Sequence, residues 1–403
     1  MKNKVLIVNL VLLVLTICQS CSSYHATTSL ADVDTINIDK SLHEDSILFS
    51  TYFKAPKVIP LETKKECLIQ NVRSLEIFKD NIYILDDKVN KLFVFDKNGN
   101  FKRSISEQGR GRGEYLELAD FSIDRKNEVI YLLDEAADNV LKFDLKDYEY
   151  LSTIKTERNG YRTYSMLTIV NRAFLNRTSV TEEEKYELKE IDLHSGKQIG
   201  KLLNSNEYNN GWNFPLRLPF SNFCSKNSHP KYVGLFSNVI MNITDDGVCP
   251  AYVVESDDFV KENDIRHILR NVDKNMEGLD FSAIYFQHKI HQISRLVEFS
   301  KYLCFQYLQG DDRKYLVYDN EFKKAQISSF FFNDYVCDQN NIPMDLCYSD
   351  KKGVVSLLQT SYIPYFIEHV IKKGKLKTGL EHYASLMRLK ANSNPVLFYL
   401  EYK

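Results

Sequence analysis

Ile82-Tyr83-Ile84-Leu85-Asp86 returns 48 residues later as Ile130-Tyr131-Leu132-Leu133-Asp134. A second run keeps the step: Leu92-Phe93-Val94-Phe95-Asp96 is echoed by Leu141-Lys142-Phe143-Asp144 and, at its end, by Glu190-Ile191-Asp192, so Asp96, Asp144 and Asp192 stand 48 apart. Turn chemistry follows each aspartate. Lys97-Asn98-Gly99, Leu145-Lys146-Asp147 and Leu193-His194-Ser195-Gly196 supply the Asx side chains or glycine that hairpins need. The apolar runs are continuous over four to six residues rather than alternating, which suits strands covered on both faces. A repeat of roughly 40–50 residues with three or four short antiparallel strands has the dimensions of a propeller blade.

Outward from these three units the pattern is looser but readable. Val239–Ile243, the turn Thr244-Asp245-Asp246-Gly247 and Ala251–Val254 make a fourth blade. Ile293–Phe299, Tyr302–Tyr307 and Tyr315–Tyr318 make a fifth. The sixth combines Leu346–Tyr348, Val354–Leu358 and the terminal run Pro395–Tyr402, with Val58-Ile59-Pro60-Leu61 as the strand from the other end of the chain that closes the ring. Residues 57–403 divided among six blades give about 58 each, so the expected fold is all-β, a six-bladed β-propeller with short helical insertions. The insertions fall within Asp257–Gln292 and over Pro364–Lys373, where Pro starts a helix and Gly374 stops it, followed by Gly379–Leu389.

Composition agrees. The 403 residues are 44% hydrophobic and 26% charged, with 25 Tyr and 24 Phe, as a core-forming β-rich chain requires. Fifty-two Lys and Arg against 54 Asp and Glu leave a formal charge of -2, so no basic field exists to attract nucleic acid.

The start of the chain sets the compartment. Lys2 and Lys4 precede an apolar run, Val5–Ile17, of about 13 residues, below the roughly 20 needed for a membrane-spanning helix, so residues 1–20 read as a signal peptide. Leu15–Ser23 resembles a bacterial lipobox with Ser20 before Cys21, which makes Cys21 the expected lipid anchor. Cys18 fits less well because bulky Ile17 precedes it. Residues 21–56 then read as a lipidated N-terminus and flexible tether. Within it, Asp34-Thr35-Ile36 and Asp45-Ser46-Ile47 resemble the O-glycosylation tripeptides of exported Bacteroidetes proteins. The remaining cysteines lack a Cys-x-x-Cys and mostly sit in apolar runs, so they read as small buried hydrophobes rather than a zinc site. A Cys337–Cys347 disulfide is the pairing left open.

Together, the lipobox-like start, the Ile59-Pro60-Leu61-Glu62 entry strand, the strands ending in Asp86 and Asp134, and the Gly109–Tyr115 loop resemble the six-bladed β-propeller lipoproteins of Bacteroides and relatives. The Thr244–Gly247 turn and the Asn394-Pro395-Val396-Leu397 finish belong to the same resemblance, which is related in shape to NHL and TolB-like propellers. It implies an exported lipoprotein of the cell envelope, held at the outer membrane, and no settled activity. Arg112 stands where that family's loop usually has Pro.

No catalytic motif, metal set or cofactor motif is present in the sequence. The segment Asn204–Tyr232 carries Tyr208, Trp212, Phe214, Phe220, Phe223 and Tyr232 in a long loop, which either offers stacking surfaces for a ligand or plugs one propeller face. In Gly109-Arg110-Gly111-Arg112-Gly113, Arg110 and Arg112 are the ligand-contact candidates if the loop is more than an inter-blade connection. Asp86, Asp87, Asp134 and Glu135 form either turns or a cation site, and His288 and His291 read as surface or packing residues. The expected function is therefore a non-catalytic, monomeric propeller that binds a peptide, glycan or envelope protein through Trp212, Tyr208, Phe214, Phe220, Arg110 and Arg112. The alternatives are a cation-dependent hydrolase or lyase of the lactonase-like kind, or a scaffold subunit of an outer-membrane complex.

Overall fold

A computed structural model describes residues 33–156, 163–177, 185–212, 221–224, 229–271, 288–338, 342, 344–380 and 383–403. Six sheets form the blades of a β-propeller. Blade 1 holds Ser74–Phe78, Asn81–Asp86, Lys91–Asp96 and Phe101–Ile105, hydrogen-bonded in that order from the axis outward. Blade 2 runs from Leu118–Asp124 to Tyr150–Lys155 and blade 3 from Thr163–Ile169 to Gln198–Asn204, each with four antiparallel strands. Blade 4 begins with two strands of two residues, Phe223–Cys224 and Lys231–Tyr232, before Val239–Thr244 and Gly247–Glu255. Blade 5 is the longest-stranded, Ile290–Phe299 through Lys324–Ser328, and its inner strand includes His291, which the sequence placed in a helical stretch. The helix there, Glu262–Asn271, ends well before it.

Blade 6 is closed by both ends of the chain. Asp345–Ser349 pairs with Gly353–Leu358, which pairs with C-terminal Val396–Glu401, and this pairs antiparallel with Lys57–Pro60, Val396 opposite Pro60. The expected closing strand is the one observed. Turn glycines fit this seam: Gly99 has φ +86°, and a Cβ there would lie 2.4 Å from the carbonyl oxygen of Pro60. Gly196, φ +73°, packs likewise against Lys155 in the outer strand of blade 2, so the third-to-fourth-strand turn of one blade abuts the outer strand of the preceding one.

The expected tether is structured over its second half. Asp34–Asn37 adds a parallel strand outside blade 4, Asp34 opposite Tyr252 and Asn37 opposite Glu255. Leu42–His43 does the same on blade 5, and Ile47–Leu48 pairs with Phe331–Phe332 beyond it. Ile36, Ile38, Ile47, Phe49, Tyr52 and Phe53 are all buried. Ser, Thr and Asp between these apolar residues gave the segment a linker-like composition, but its partners are sheet edges about two to three hundred residues away, such as Gln326, which accepts a 2.9 Å hydrogen bond from the Tyr52 hydroxyl. Residues 21–32, Cys21 included, lie outside the described residues.

The core lies between blades, in apolar clusters shared by neighbours. One joins Tyr83 and Leu85 of blade 1 to Phe121 and Leu132 of blade 2; another joins Leu167 and Phe174 of blade 3 to Met241 and Ile243 of blade 4. None of the six cysteines from Cys67 to Cys347 is in a disulfide, and Cys67, Cys304 and Cys337 are buried. A chain beginning at Lys57 is expected to be far less stable toward urea than one beginning at Val33, because each lost strap side chain forfeits roughly 1.5–3 kcal/mol before the ordering cost. Coincident unfolding curves for the two fragments would show the strap to be ornamental.

Candidate functional site

The antiparallel order puts the first-to-second and third-to-fourth strand turns of every blade at one end, here the turn face. The connections between blades lie at the other. Asp86 and Asp134 sit at that second end, fully buried, and their carboxylates are filled by backbone donors. Asp86 accepts from the amides of Gln70, Lys88 and Val89, and Asp134 from those of Leu116, Glu117 and Ala137. These aspartates are turn formers that tie each second strand to the incoming inter-blade loop.

Of the predicted aromatic loop, the described Trp212 and Tyr208 behave as packing. Trp212 is 5% exposed and meets the Phe236 ring edge-on at 4.7 Å within the cluster shared by blades 4 and 5. Tyr208 is 8% exposed in a different cluster, between blades 3 and 4, where its hydroxyl donates to the Val239 carbonyl and accepts from the Gly234 amide. As placed, neither ring offers a stacking surface to a ligand, because each is buried in an inter-blade cluster. Phe214 and Phe220 lie outside the described residues. Arg110 and Arg112 are exposed on the loop between blades 1 and 2, with the Arg112 guanidinium 5.6 Å from the Tyr150 ring centre. The loop is held by buried Tyr115 and by its own amides, Gly109 to the Tyr115 carbonyl and Gly111 to the Glu114 carboxylate, so these amides do not converge on an anion. Tyr208, Trp212 and the two arginines belong to three separate blade junctions.

Beneath the aromatic loop lies a group that sequence reasoning missed. Glu187, in the third strand of blade 3, is buried with Tyr232 and Asn209 donating to its two oxygens. Burial pushes its carboxyl up to about 8, the two hydrogen bonds pulling the other way. Asn176 completes the cluster by donating to the Tyr232 hydroxyl at 2.5 Å. Its strand, Tyr186–Asp192, alternates charged and apolar residues and also carries Lys189 and Glu190, so nothing local sets Glu187 apart.

Along the axis, inner strands are stitched by polar bridges with a step of 46 residues. Arg73 Nε donates to the Ala119 carbonyl and Ser74 Oγ to Asp120, while Asp120 also accepts from the Met166 amide. Ser221 Oγ adds a fourth blade by donating to Asp120 at 2.9 Å, and the Phe121 amide donates to it as well. Carboxylates at the channel are thus joined to donors from neighbouring blades. Among the described residues, no group of three or more His, Cys, Asp or Glu side chains is placed to hold a metal ion.

Two large concavities open on the turn face. One, about 1080 Å³, follows the closing seam between blades 6 and 1, with Ile59, Ile77, Ile82 and Leu380 beneath Lys57, Lys352 and other charged side chains. The other, about 860 Å³, spans the turns of blades 2 to 5. There Lys231, 3% exposed along its side chain, pairs with Glu298 at 2.9 Å. A smaller hollow of about 350 Å³, lined by Asn210 and Val260, opens on the other face.

A family model described as Domain of unknown function (DUF4934) matches residues 33–401. The chain belongs to this family. Among solved structures, a protein of Bacteroides fragilis NCTC 9343 carrying an exported-protein name is 18% identical, with a TM-score of 0.71, covering 92% of this chain and 99% of its own. A DUF4221 family member from Bacteroides vulgatus is 9% identical with a TM-score of 0.48, covering 87% of this chain and 97% of its own. No curated protein matches the chain. For this DUF4934 member the first likeness shows the fold.

Two outcomes test this description. Trp212→Ala should lower stability by about 3–5 kcal/mol in denaturant unfolding, the range for removing a packed large aromatic, whereas Arg110→Ala should change it by less than about 0.5 kcal/mol. Glu187 keeps a proton in the fold that the unfolded chain has released, from its ordinary pKa of 4.5 to about 8. Stability should therefore fall as pH rises through that window, by about 1.4 kcal/mol per unit, and be lowest above it. Glu187→Gln should flatten that slope in urea titrations from pH 5 to 8.5; parallel curves for the two proteins would refute the assignment.

Proposed function

We propose that the chain is an exported, lipid-anchored propeller of the cell envelope that binds a peptide, glycan or partner protein on its turn face and catalyses no reaction. Export and lipidation are supported by the apolar leader and Ser20-Cys21 and by the exported-protein name of the Bacteroides fragilis neighbour. The observation that carries the binding reading is the seam groove, whose volume of about 1080 Å³ and apolar floor with a charged rim suit an extended segment or a few sugar rings. Its acids are largely engaged within the protein: Asp80 with Lys97, Glu401 with Lys54, and Asp350 by the Tyr399 hydroxyl and the amides of Lys352 and Gly353. Lys352 and Thr378 are exposed on its walls and are not needed to hold it open.

Peptide and glycan arrays probed with the full chain should reveal a ligand whose capture is lost in Thr378→Trp, which fills the groove, and is reduced at least about tenfold in Lys352→Glu. Capture that survives both substitutions would remove the groove from the proposal. Capture abolished by a chelator would transfer the reading to a cation-dependent site.

A further inference from the structure

The groove along the closing seam borders the outer edge of blade 6. Lys57–Pro60 is the last strand of that sheet, and its side turned away from Val396–Glu401 carries no further strand. Blades 4 and 5 differ. There the outer edge takes a fifth, parallel strand from the strap, Asp34–Asn37 beside Gly247–Glu255 and Leu42–His43 beside Lys324–Ser328. Blade 6 stops at four strands, and Lys57 and Ile59 of its last one line the groove. An uncovered strand edge offers a row of backbone groups that another extended backbone can pair along its length.

The apolar wall also favours a peptide over a sugar. Ile77 and Leu380 are half-buried and supply the accessible surface, while Ile59 and Ile82 are buried. A sugar ring laid on aliphatic side chains would lose water from hydroxyls that they cannot pair. The two tyrosines of the groove are tied within the protein, Tyr335 donating to the Phe53 carbonyl at 2.8 Å and Tyr399 to Asp350 at 3.1 Å.

The charges of the lining balance. Five lysines and four carboxylates line it, and three of the lysines are paired: Lys97 with Asp80, Lys54 with Glu401, and Lys377 with Asp338. Lys57 and Lys352 then stand against Asp334 and Asp350, so a polyanion or polycation meets no net field. Hydrogen-bonding capacity is less even. Asp334 already accepts from the Ser50 amide, and Asp350 from the Tyr399 hydroxyl and the amides of Lys352 and Gly353. The Lys352 ammonium has no partner among the described residues, and Lys57 has only the Asn98 side-chain oxygen at 3.4 Å. The rim therefore has donors to spare, which backbone carbonyls satisfy without bringing charge.

We propose that the groove takes an extended peptide of low net charge, with aliphatic side chains at alternate positions, laid along Lys57–Pro60 as a fifth strand of blade 6. The alternation follows because every second side chain of a strand at that edge turns to the same wall. The proposal rests on the groove being the binding site and narrows its ligand to one class.

The test is selection of random octapeptides, and of an oligosaccharide array, on the full chain, followed by affinity measurements on the peptide recovered. Selected peptides should carry Val, Ile or Leu at alternating positions, and their Kd should change less than about twofold between about 50 and about 300 mM salt. Methylating every second backbone nitrogen of the peptide should weaken binding about tenfold in one register and little in the other. Ile77→Thr should weaken it about fourfold, and Lys352→Gln, which keeps N–H donors, less than about threefold. Peptide capture that survives Thr378→Trp would remove the groove itself. Oligosaccharide capture that Thr378→Trp abolishes would keep the groove and overturn the peptide. Enrichment of polyacidic or polybasic sequences, no enrichment of any peptide, or methylation without effect in either register would likewise overturn the peptide assignment.

Discussion

A sheet of four short strands is too thin to keep either of its faces dry, and every other property of this protein depends on how that exposure is removed. Each blade covers its neighbour: Phe121 packs with Tyr83, and Met241 with Leu167, so no blade has a finished core of its own. The ring must therefore close. Closure rests on the ladder between Val396–Glu401 and Lys57–Pro60, which joins the two ends of the folded domain in one sheet. Because the contacts are so distant in sequence, their chain-entropy cost is repaid only when the circle is complete.

The same constraint explains the strap. Blade 4 starts with two strands of only two residues, so its inner part is the thinnest of the six. Residues from Asp34 onward thicken blades 4 and 5 from outside before delivering the closing strand to blade 6. Trp212 and Tyr208, from the connection that leads into blade 4, are buried in the clusters that join it to blades 5 and 3. The two larger concavities open on the turn face, whose outline is set by hairpins.

Polar chemistry follows the axis. The bridges from Arg73 and Ser74 to blade 2, and from Asp120 to blades 3 and 4, make the inner strands a single hydrogen-bonded ring segment. Their 46-residue step is slightly shorter than the 48-residue step of the outer strand ends, since the inner strands and the hairpin aspartates need not keep identical registers where loops differ by a residue or two. Where blades 5 and 6 complete the circle, the pattern changes to a bulge at Arg295 and an unpaired Ser349.

The spacing of Asp86 and Asp134, the run Asp96–Asp144–Asp192, and the closing pair Val58–Leu61 with Pro395–Tyr402 were legible because they are local: strand length, turn chemistry and period are written in adjacent residues. Sequence alone thus determined six antiparallel sheets arranged in a ring, while the backbone donors that make Asp86 and Asp134 turn formers came only with the structure. Only tertiary structure decided that Ile36 and Phe49 are core rather than linker, that Trp212 is packing, that Glu187 holds a proton, and that Ile77 and Leu380 share a groove. Each of these depends on what lies across a blade junction, tens to hundreds of residues away, and burial at a junction is a property of the closed circle, not of any one stretch of chain.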